Sequence, residues 1–407
     1  MNSSGQSRRR VLHALGAAIS SSLAGCTGHS SGSDSNGTDS LDRFAATQFR
    51  GGIQNKGYTD ISIPDDVTLS WAVPTNRGEH SATKGSPVIT PAGSVIIADD
   101  TGRLRSIDPD SSVQWSTSFT TASRGSHGTP AIANGTAYIS AYDGAVSALD
   151  VDTGAIEWQT QLGAAVGASP TYFNGRLYVA VEHSDPSGSV AVLNAGTGAL
   201  VAWDQRPTDH PHSTVAIDRE YNQLVLGSND GYCYAWEFPF DERRWKYDTD
   251  GDIKTAIGVT DGTAIVPSWA GTVTGIDVSS GTRRWEFQAD GKLMCAPAIR
   301  DGTAYIGSHD ESIYAISTTT GDLIWETQTG GWVTGNAVAT PDYLLVGSYD
   351  RHLYALDRAD GSILWSFEAR GEVTSAPAIT SDAIYFTERA KNGQADYPGL
   401  LYKLVPR

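Results

Sequence analysis

The chain has 407 residues, and its 46 acidic against 29 basic residues give a net charge of −17. This acidity argues against a nucleic-acid-binding protein, because such proteins carry a basic footprint. Three cysteines in a chain long enough for a large core indicate that no disulfide framework is needed.

Residues 1–25 have the order of an export signal. Residues 7–12 read Ser-Arg-Arg-Arg-Val-Leu and look like a twin-arginine motif, and a short apolar stretch follows at 14–23. The sequence Leu-Ala-Gly-Cys that ends at Cys26 resembles a lipobox, which predicts lipidation of Cys26 as the first mature residue. Because this stretch is too short to span a bilayer, we expect a lipid anchor on the outer face of the cytoplasmic membrane. The alternative is a disordered start with an accidental arginine run.

Residues 26–46 are rich in serine, glycine, aspartate and asparagine, and predict a flexible tether. The folded domain is expected to occupy residues 47–407. Removal of the leader takes away the three positive charges of Arg8, Arg9 and Arg10, which changes the net charge from −17 to −20. Such acidity predicts adaptation to a salty medium, where screening lowers the cost of self-repulsion.

The mature protein is therefore expected to unfold when it is diluted from high salt into low salt, because its carboxylates then repel one another without screening. Circular dichroism during the dilution measures this loss of structure. A signal that does not change with salt would contradict the hypothesis.

Eight tryptophans divide the rest of the chain into nearly equal lengths. A fixed period of this size is typical of stacked supersecondary units. The tryptophans lie 40 to 45 residues apart, at Trp71, Trp115, Trp158, Trp203, Trp245, Trp285, Trp325 and Trp365.

Each interval has the pattern of four short strands joined by tight turns. Alternating apolar residues with glycine-containing turns predict an antiparallel meander. In the clearest unit the strands are expected at residues 296–299, 304–308, 313–317 and 323–327.

Small four-stranded sheets bury both faces when they pack radially, so the period predicts an all-β fold, an eight-bladed β-propeller. The eighth strand set, at 375–405, has no tryptophan strand of its own. The segment around Trp71 is expected to supply that outer strand and to close the ring.

A pattern Ala-Leu-Asp-x-x-x-Gly-x-x-x-Trp recurs, for example from Ala148 to Trp158 and from Ala355 to Trp365. It resembles the tryptophan-docking repeat of pyrroloquinoline quinone (PQQ) type propellers, over about residues 67–405. In that family the tryptophan of each outer strand packs on the neighbouring blade, which implies that the eight tryptophans here fasten the blades. With its lipobox and tether, the chain also resembles the BamB-like exported lipoproteins.

Alignment of the repeats identifies one residue just before each inner strand, and these eight positions are expected to ring one mouth of the central channel. A basic half-ring on an acidic molecule predicts a small anionic ligand or the carboxylate end of a partner peptide. The half-ring consists of Lys84, His127, His212 and Lys254, and the other positions are Gly167, Met294, Thr334 and Thr374. The alternative is a chance meeting of solvated loop ends.

The loops between the second and third strands are expected on the same face. Their aromatic and imidazole groups are either a partner-binding rim or ordinary turn flanks. The candidates are Tyr142, His183, Trp269, His309 and Tyr349. The aspartates beside these positions are expected to satisfy turn amides, at Asp143, Asp230, Asp310 and Asp350.

No metal site is predicted. His210 and His212 offer two ligands, but the spacing supplies no third. Cys233 and Cys295 fall in non-adjacent blades, so we expect two buried apolar residues and no disulfide.

Three classes of function remain open. The leading hypothesis is a monomeric, membrane-anchored, non-enzymatic scaffold for a protein or peptide at the cell surface, as the BamB-like resemblance implies. The second is a quinoprotein dehydrogenase that uses PQQ and calcium. This chain lacks the adjacent cysteines of many such enzymes and has no match to their calcium ligands, so neither cofactor is expected and no catalytic residue is assigned. The third is a sensor of a small anionic ligand.

Overall fold

The computed structural model describes residues 47–76, 85–240, 242–389 and 397–407. In these residues 32 strands form eight four-stranded antiparallel sheets. A 3-10 turn at Phe49–Gly51 is the helical element of this part of the chain, where no helix has the length and apolarity to cross a bilayer. The eight-bladed propeller predicted from the tryptophan period is confirmed. The leader, the tether with Cys26, and Lys84 lie outside the described residues.

The first strand of each blade is the innermost, and the strands follow outward in chain order in blades 1 to 7. Blade 1 contains β2 (Val88–Ile89), β3 (Val95–Ala98), β4 (Arg103–Ile107) and β5 (Val113–Ser118). Blade 2 contains β6 (Ala131–Ala133), β7 (Thr136–Ser140), β8 (Ala145–Asp150) and β9 (Ile156–Gln161). Blade 3 contains β10 (Thr171–Phe173), β11 (Arg176–Glu182), β12 (Gly188–Asn194) and β13 (Leu200–Asp204). Blade 4 contains β14 (Ala216–Asp218), β15 (Gln223–Gly227), β16 (Tyr232–Glu237) and β17 (Arg243–Asp248).

The second half of the ring repeats the same arrangement. Blade 5 contains β18 (Gly258–Thr260), β19 (Thr263–Pro267), β20 (Thr272–Asp277) and β21 (Arg283–Gln288). Blade 6 contains β22 (Ala298–Arg300), β23 (Thr303–Gly307), β24 (Ser312–Ser317) and β25 (Leu323–Gln328). Blade 7 contains β26 (Val338–Ala339), β27 (Tyr343–Gly347), β28 (His352–Asp357) and β29 (Ile363–Glu368). Blade 8 contains β30 (Ala378–Ile379), β31 (Ile384–Thr387), β32 (Gly399–Pro406) and β1 (Val67–Asn76).

The N-terminal strand closes the ring, as predicted. Strand β1 pairs antiparallel with β32, with Val67 opposite Pro406 and Trp71 opposite Lys403. The strand order β1-β32-β31-β30 makes β1 the outer strand of blade 8. The first and last strands of the described domain are therefore hydrogen-bonded within one sheet.

The hydrophobic core lies between the blades. The described residues contain eight buried apolar clusters, and each cluster joins side chains of two neighbouring blades. One of them joins Ile97 of blade 1 to Tyr385 of blade 8 across the closure. Every interface of the ring, including the last, is thus sealed by burial of apolar surface.

Strand boundaries differ from the predicted ones by one or two residues. Strand β22 begins at Ala298 and not at 296, because Pro297 has no amide hydrogen for the ladder. Asp301 and Gly302 form the tight turn between the first two strands of this unit, with φ of 49° and 75° at the two residues. Two successive positive φ values suit a type I′ hairpin, which favours Asp-Gly.

The recurring glycine and tryptophan meet in space. The indole N–H of Trp285 donates to the Thr318 carbonyl of the next blade at 2.9 Å. A Cβ at Gly321 would lie 2.6 Å from the Trp285 ring. The repeat therefore keeps a glycine where the preceding blade's indole covers the turn.

Six of the eight indoles make this hydrogen bond to the next blade. They are Trp71 to Pro109 at 2.8 Å, Trp115 to Val151 at 3.0 Å, Trp158 to Ala195 at 2.9 Å, Trp245 to Val278 at 2.7 Å, Trp285 to Thr318 at 2.9 Å and Trp325 to Arg358 at 2.9 Å.

Trp203 and Trp365 differ. The Trp365 N–H is buried without an acceptor among the described residues. In the blades that accept this hydrogen bond, the acceptor carbonyl lies in the turn between the third and fourth strands. Blade 8 has no such turn, because its fourth strand is the N-terminal strand β1. Trp203 packs against the apolar cluster between blades 2 and 3, and its ring lies 5.5 Å from that of His183. The preceding residue, Ala202, packs against the cluster between blades 3 and 4. The prediction that Trp203 docks on the next blade is therefore wrong, because the side chain points to the other face of the sheet.

The sequence patterns do not predict the course of residues 47–59, which we call the N-terminal plug. Its carbonyls accept backbone hydrogen bonds from the inner strands of five blades, so it crosses the end of the channel where those strands finish. The bonds are Ile132 to Thr47 at 2.6 Å, Ile217 to Ile53 at 2.7 Å, Val259 to Gln54 at 2.9 Å, Ile299 to Lys56 at 2.7 Å and Ala339 to Gly57 at 3.0 Å.

Two polar side chains fix the plug in the channel. The buried Arg50 guanidinium donates to the carbonyls of Pro297 and Ala337, in blades 6 and 7. Asn55 donates to the carbonyls of Thr214 and Ile257, each at 3.2 Å. Burial lowers the pKa of Arg50 to about 10, so the group is still protonated at neutral pH.

Candidate functional site

At the end opposite the plug, the channel opens into a space of about 530 Å³, which we call the mouth cavity. Phe49 of the plug is part of its wall, so the cavity is blind on the inner side. The predicted ring of residues before the inner strands is found here. All seven positions that the structure describes line the cavity, namely His127, Gly167, His212, Lys254, Met294, Thr334 and Thr374.

Four of the five predicted rim residues also line the mouth cavity, namely Tyr142, Trp269, His309 and Tyr349. His183 does not belong to this wall. Its Nε2 lies 2.6 Å from the Ser189 hydroxyl, and its ring packs on Trp203. The insertion that lengthens β11 and β12 in blade 3 carries His183 outward, which the simple repeat alignment does not register.

One backbone hydrogen bond repeats around the rim and holds its side chains. In blades 5 to 8 the loop between the second and third strands donates an amide to the loop that precedes the inner strand. The bonds are Trp269 to Asp252 at 2.9 Å, His309 to Lys292 at 3.0 Å, Tyr349 to Trp332 at 2.9 Å and Arg389 to Glu372 at 2.9 Å. Successive bonds are 40 residues apart, so blades 5 to 8 present equivalent side chains at one level.

Lys292 and Trp332 line the mouth cavity but escaped the sequence-based prediction. Both lie two residues before the aligned ring position, at the place that Asp252 occupies in blade 5. The repeat alignment contained this signal, because the three positions are 40 residues apart.

Two ammonium groups face the indole of Trp269. Lys254 Nζ lies 3.8 Å and Lys292 Nζ 4.4 Å from the ring centroid, within the range of a cation–π interaction. Lys254 also pairs with Asp252 at 3.0 Å. Among the described residues no carboxylate pairs with Lys292. Of the two lysines that line the cavity in the described part of the chain, Lys292 is therefore the one whose charge no carboxylate offsets.

Aromatic rings continue the wall through blades 6 and 7. The rings of His309 and Trp332 stack at 4.5 Å with 5° between their planes, and Tyr349 lies 5.7 Å from Trp332. Arg389 donates to the Tyr349 hydroxyl at 2.8 Å. Trp332 is 48% exposed. A large, half-exposed tryptophan at the edge of a cavity is typical of a binding hot spot.

On the other side of the cavity, two histidines face one buried carboxylate. His212 Nδ1 lies 3.2 Å and His210 Nδ1 3.9 Å from the oxygens of Glu182. Gly167 makes room for this group, because a Cβ there would lie 2.8 Å from Glu182 Oε1 and 2.9 Å from the Tyr142 hydroxyl. Sequence reasoning missed Glu182, although it lies 40 residues after Tyr142, at the end of the second strand of blade 3.

Burial is the largest effect on Glu182 and by itself raises the pKa of the carboxyl. The hydrogen bond from His212 and the charges of His212 and His210 outweigh burial, so that the pKa of Glu182 lies below its usual value. The two histidines are thus engaged with a carboxylate. In the described part of the chain no group of three His, Cys, Asp or Glu side chains could hold a metal ion.

The lowered pKa of Glu182 predicts a pH-dependent contribution to stability. A carboxyl whose pKa is lowered in the folded state contributes fully to the free energy of unfolding at pH values above its ordinary pKa of 4.5. This contribution disappears as the pH falls through the folded-state pKa. Urea unfolding of the wild type and of Glu182→Gln should therefore differ at pH 7 and converge as the pH falls below 4.5 and through the folded-state pKa of Glu182. The exposed Glu368 provides the control, and Glu368→Gln should show a small difference throughout. A Glu182→Gln difference that does not shrink as the pH is lowered below 4.5 would contradict the assignment.

The four loop aspartates stabilise turns, as predicted. Each accepts from the backbone amide two residues further along, at 3.0 to 3.1 Å, in Asp143, Asp230, Asp310 and Asp350. The two described cysteines, Cys233 and Cys295, are buried thiols with no disulfide, and burial raises the pKa of both. Neither has the character of a reactive thiolate.

The lining of the mouth cavity does not fit calcium. Calcium takes oxygen ligands, chiefly carboxylates. The described residues that line the cavity include two lysines and no aspartate or glutamate. A PQQ–calcium site of the dehydrogenase type therefore lacks its metal ligands here.

The chain is similar to proteins of one family. A family model described as "Outer membrane protein assembly factor BamB" matches residues 100–218, 186–338 and 309–397. The outer membrane protein assembly factor BamB of Escherichia coli (strain K12) is 28% identical over 220 residues, which cover 51% of this chain and 52% of that protein. The chain thus spans about half the length of this curated relative.

Solved structures share the fold. BamB from Moraxella catarrhalis superposes with a TM-score of 0.63 at 19% identity, over 83% of this chain and 100% of that one. The quinohemoprotein alcohol dehydrogenase ADHIIG from Pseudomonas putida HK5 gives a TM-score of 0.76 at 13% identity, over 90% and 81%. Identities this low show a common architecture and leave function to other observations. Since the family model matches well over half of its length, the chain belongs to the PQQ-repeat β-propeller family described as outer membrane protein assembly factor BamB.

Proposed function

We propose that this protein is an exported, membrane-anchored, non-enzymatic scaffold that binds a protein or peptide partner in the mouth cavity. The observation that carries the proposal is the blind cavity itself, with exposed aromatic and cationic side chains around it and the plug at its inner end. Rings such as Trp332 and Tyr349 with a nearby cation are typical anchors for a protein chain. The relatives are named as factors of outer membrane protein assembly, and we carry over from them only a protein partner at the cell surface.

The proposal includes export by the twin-arginine route and a lipid on Cys26. Its support is the order of motifs, with the arginines first, an apolar stretch next and Cys26 at the end of the lipobox. We expect Cys26→Ser to move the protein from the membrane fraction to the medium. Arg9→Lys with Arg10→Lys should instead keep the precursor inside the cell. A variant at Cys26 that stays in the membrane fraction would contradict the anchor.

Site-specific photo-crosslinking tests where the partner binds. A benzophenone amino acid replaces Trp332, which lines the mouth cavity and is 48% exposed. The control position is Ile324 on the outer strand of blade 6, which is 50% exposed. Illumination of intact cells should give discrete adducts from position 332 and none from position 324. Equal labelling of both positions, or no adduct at 332, would reject binding in the cavity.

A quinoprotein dehydrogenase is the second candidate, and its support is the fold shared with the Pseudomonas putida enzyme. The absence of carboxylates from the described cavity wall speaks against it. The purified domain, incubated with PQQ and calcium, is expected to retain no quinone chromophore and to reduce no dye with alcohols. A stable chromophore with alcohol-dependent dye reduction would replace the scaffold proposal.

A further inference from the structure

We propose that the mouth cavity recognises the free C-terminal carboxylate of a peptide chain, with Lys292 as the anion-binding group and Trp332 as the platform for the terminal apolar side chains. This inference rests on the proposed function, because it names the part of the partner that enters the cavity. It also moves the anion-binding role from the predicted half-ring to a lysine outside it.

Charge pairing singles out Lys292. Around the mouth, Lys254 pairs with Asp252 at 3.0 Å, His212 with Glu182 at 3.2 Å and Arg389 with Glu372 at 3.1 Å. Lys292 has the Trp269 ring at 4.4 Å and no carboxylate among the described residues. On a protein of net charge −17, a cation without a carboxylate partner is the group that an incoming anion would complete.

The apolar platform lies beside this cation. Lys292 and His309 are joined by a backbone hydrogen bond of 3.0 Å, and the His309 ring stacks on Trp332 at 4.5 Å. The ammonium group and the half-exposed indole therefore belong to one continuous piece of wall in blades 6 and 7. A ligand that matches this wall carries a carboxylate next to an apolar side chain, as the last residue of a peptide does.

The closed inner end of the cavity favours a chain end over a chain segment. Phe49 lines the cavity, and Arg50 next to it is tied to the carbonyls of Pro297 and Ala337. A peptide that entered with an internal aspartate or glutamate would need a second way out for its backbone. A C-terminus needs none, and the volume of about 530 Å³ lies within the range of pockets that hold small ligands.

Fluorescence anisotropy with paired peptide pools tests the inference. One pool consists of labelled hexapeptides of random sequence that end in a free carboxylate, with the last residue fixed as Phe, Leu, Ser or Lys. The second pool is identical but ends in a carboxamide. At low ionic strength we expect the acid pool to bind roughly three- to tenfold more tightly than the amide pool, most strongly with Phe or Leu at the end.

Two variants and one control assign the effect. Lys292→Gln should remove the acid–amide difference and leave the amide affinity unchanged, whereas Trp332→Ala should weaken both pools. The control is Lys246→Gln, because Lys246 lies 3.9 Å from the Tyr232 ring on the outer strand of blade 4 and is absent from the cavity lining. It should behave as the wild type.

The outcomes separate this inference from the proposed function. Equal binding of acid and amide pools, together with crosslinks at position 332, would overturn carboxylate recognition and keep the scaffold. An acid preference that survives in Lys292→Gln would overturn the assignment of the lysine. If N-acetyl-phenylalanine competes as well as the acid hexapeptides, the site takes a small aromatic carboxylate and the peptide inference fails. No binding of either pool, with no crosslink at 332, would overturn both.

Discussion

Replacement of Arg50 by methionine is expected to lower the free energy of unfolding by about 3 to 5 kcal/mol. The guanidinium is buried and donates to the carbonyls of Pro297 and Ala337, which would then have no donor from the plug. Methionine keeps the length and apolar volume of the side chain, so the loss measures the hydrogen bonds more than a cavity. Urea denaturation followed by tryptophan fluorescence gives the free energy directly.

Arg351 provides the matched control for Arg50. It is an exposed arginine on blade 7 whose partner Glu368 is also exposed, with side-chain exposures of 53% and 56%. Arg351→Met should cost less than about 1 kcal/mol, since exposed ion pairs contribute little. Equal effects of the two substitutions would show that the plug is not fixed through Arg50. Because Phe49 lines the mouth cavity, folded Arg50→Met protein should also bind the acid peptide pool more weakly than wild type.

The architecture follows from the sequence because one local pattern is repeated in every blade. The tryptophan period sets the blade number, and the contact of Trp285 with Gly321 shows why the glycine and the tryptophan recur together. The same repeat places the positions before the inner strands on one mouth, so His127 and Lys254 were found from alignment alone. In a periodic fold, the place of a residue within the repeat thus predicts where it lies in the structure, even when the side chain differs from blade to blade.

The repeat does not predict which charged side chains pair with one another, and it does not predict contacts made by segments outside the blades. Asp252 neutralises Lys254, whereas Lys292 has no carboxylate partner among the described residues. An alignment that compares one column at a time does not show which side chains pair in space. Glu182 is visible in the alignment, but its burial beneath Gly167 is a matter of packing. The N-terminal plug belongs to no repeat at all, and its polar sequence gives no period from which its course across the channel could be predicted.

A matched pair of glycine substitutions tests whether the tryptophan contacts hold the ring. Gly321 and Gly302 lie in the same blade with nearly the same backbone, at φ of 76° and 75°. A Cβ at Gly321 would lie 2.6 Å from the Trp285 ring, whereas a Cβ at Gly302 has no atom within 4 Å. Both alanine variants bear the same left-handed backbone strain, of about 1 to 2 kcal/mol. Gly321→Ala should therefore destabilise by about 2 kcal/mol more than Gly302→Ala, since the indole must move.

The difference in stability between the two alanine variants measures the contact between blades separately from the strain in the turn. Neither variant alone gives this separation. Trp285→Ala in the Gly321→Ala background checks the cause. With the indole already gone, Gly321→Ala should cost no more than Gly302→Ala, because the three atoms nearest to that Cβ all belong to Trp285. Two glycine variants of equal stability in the presence of Trp285 would mean that the indole yields freely. The recurring glycine would then serve the turn alone, and Trp285 would hold the next blade by its hydrogen bond to Thr318 and by burial of its ring.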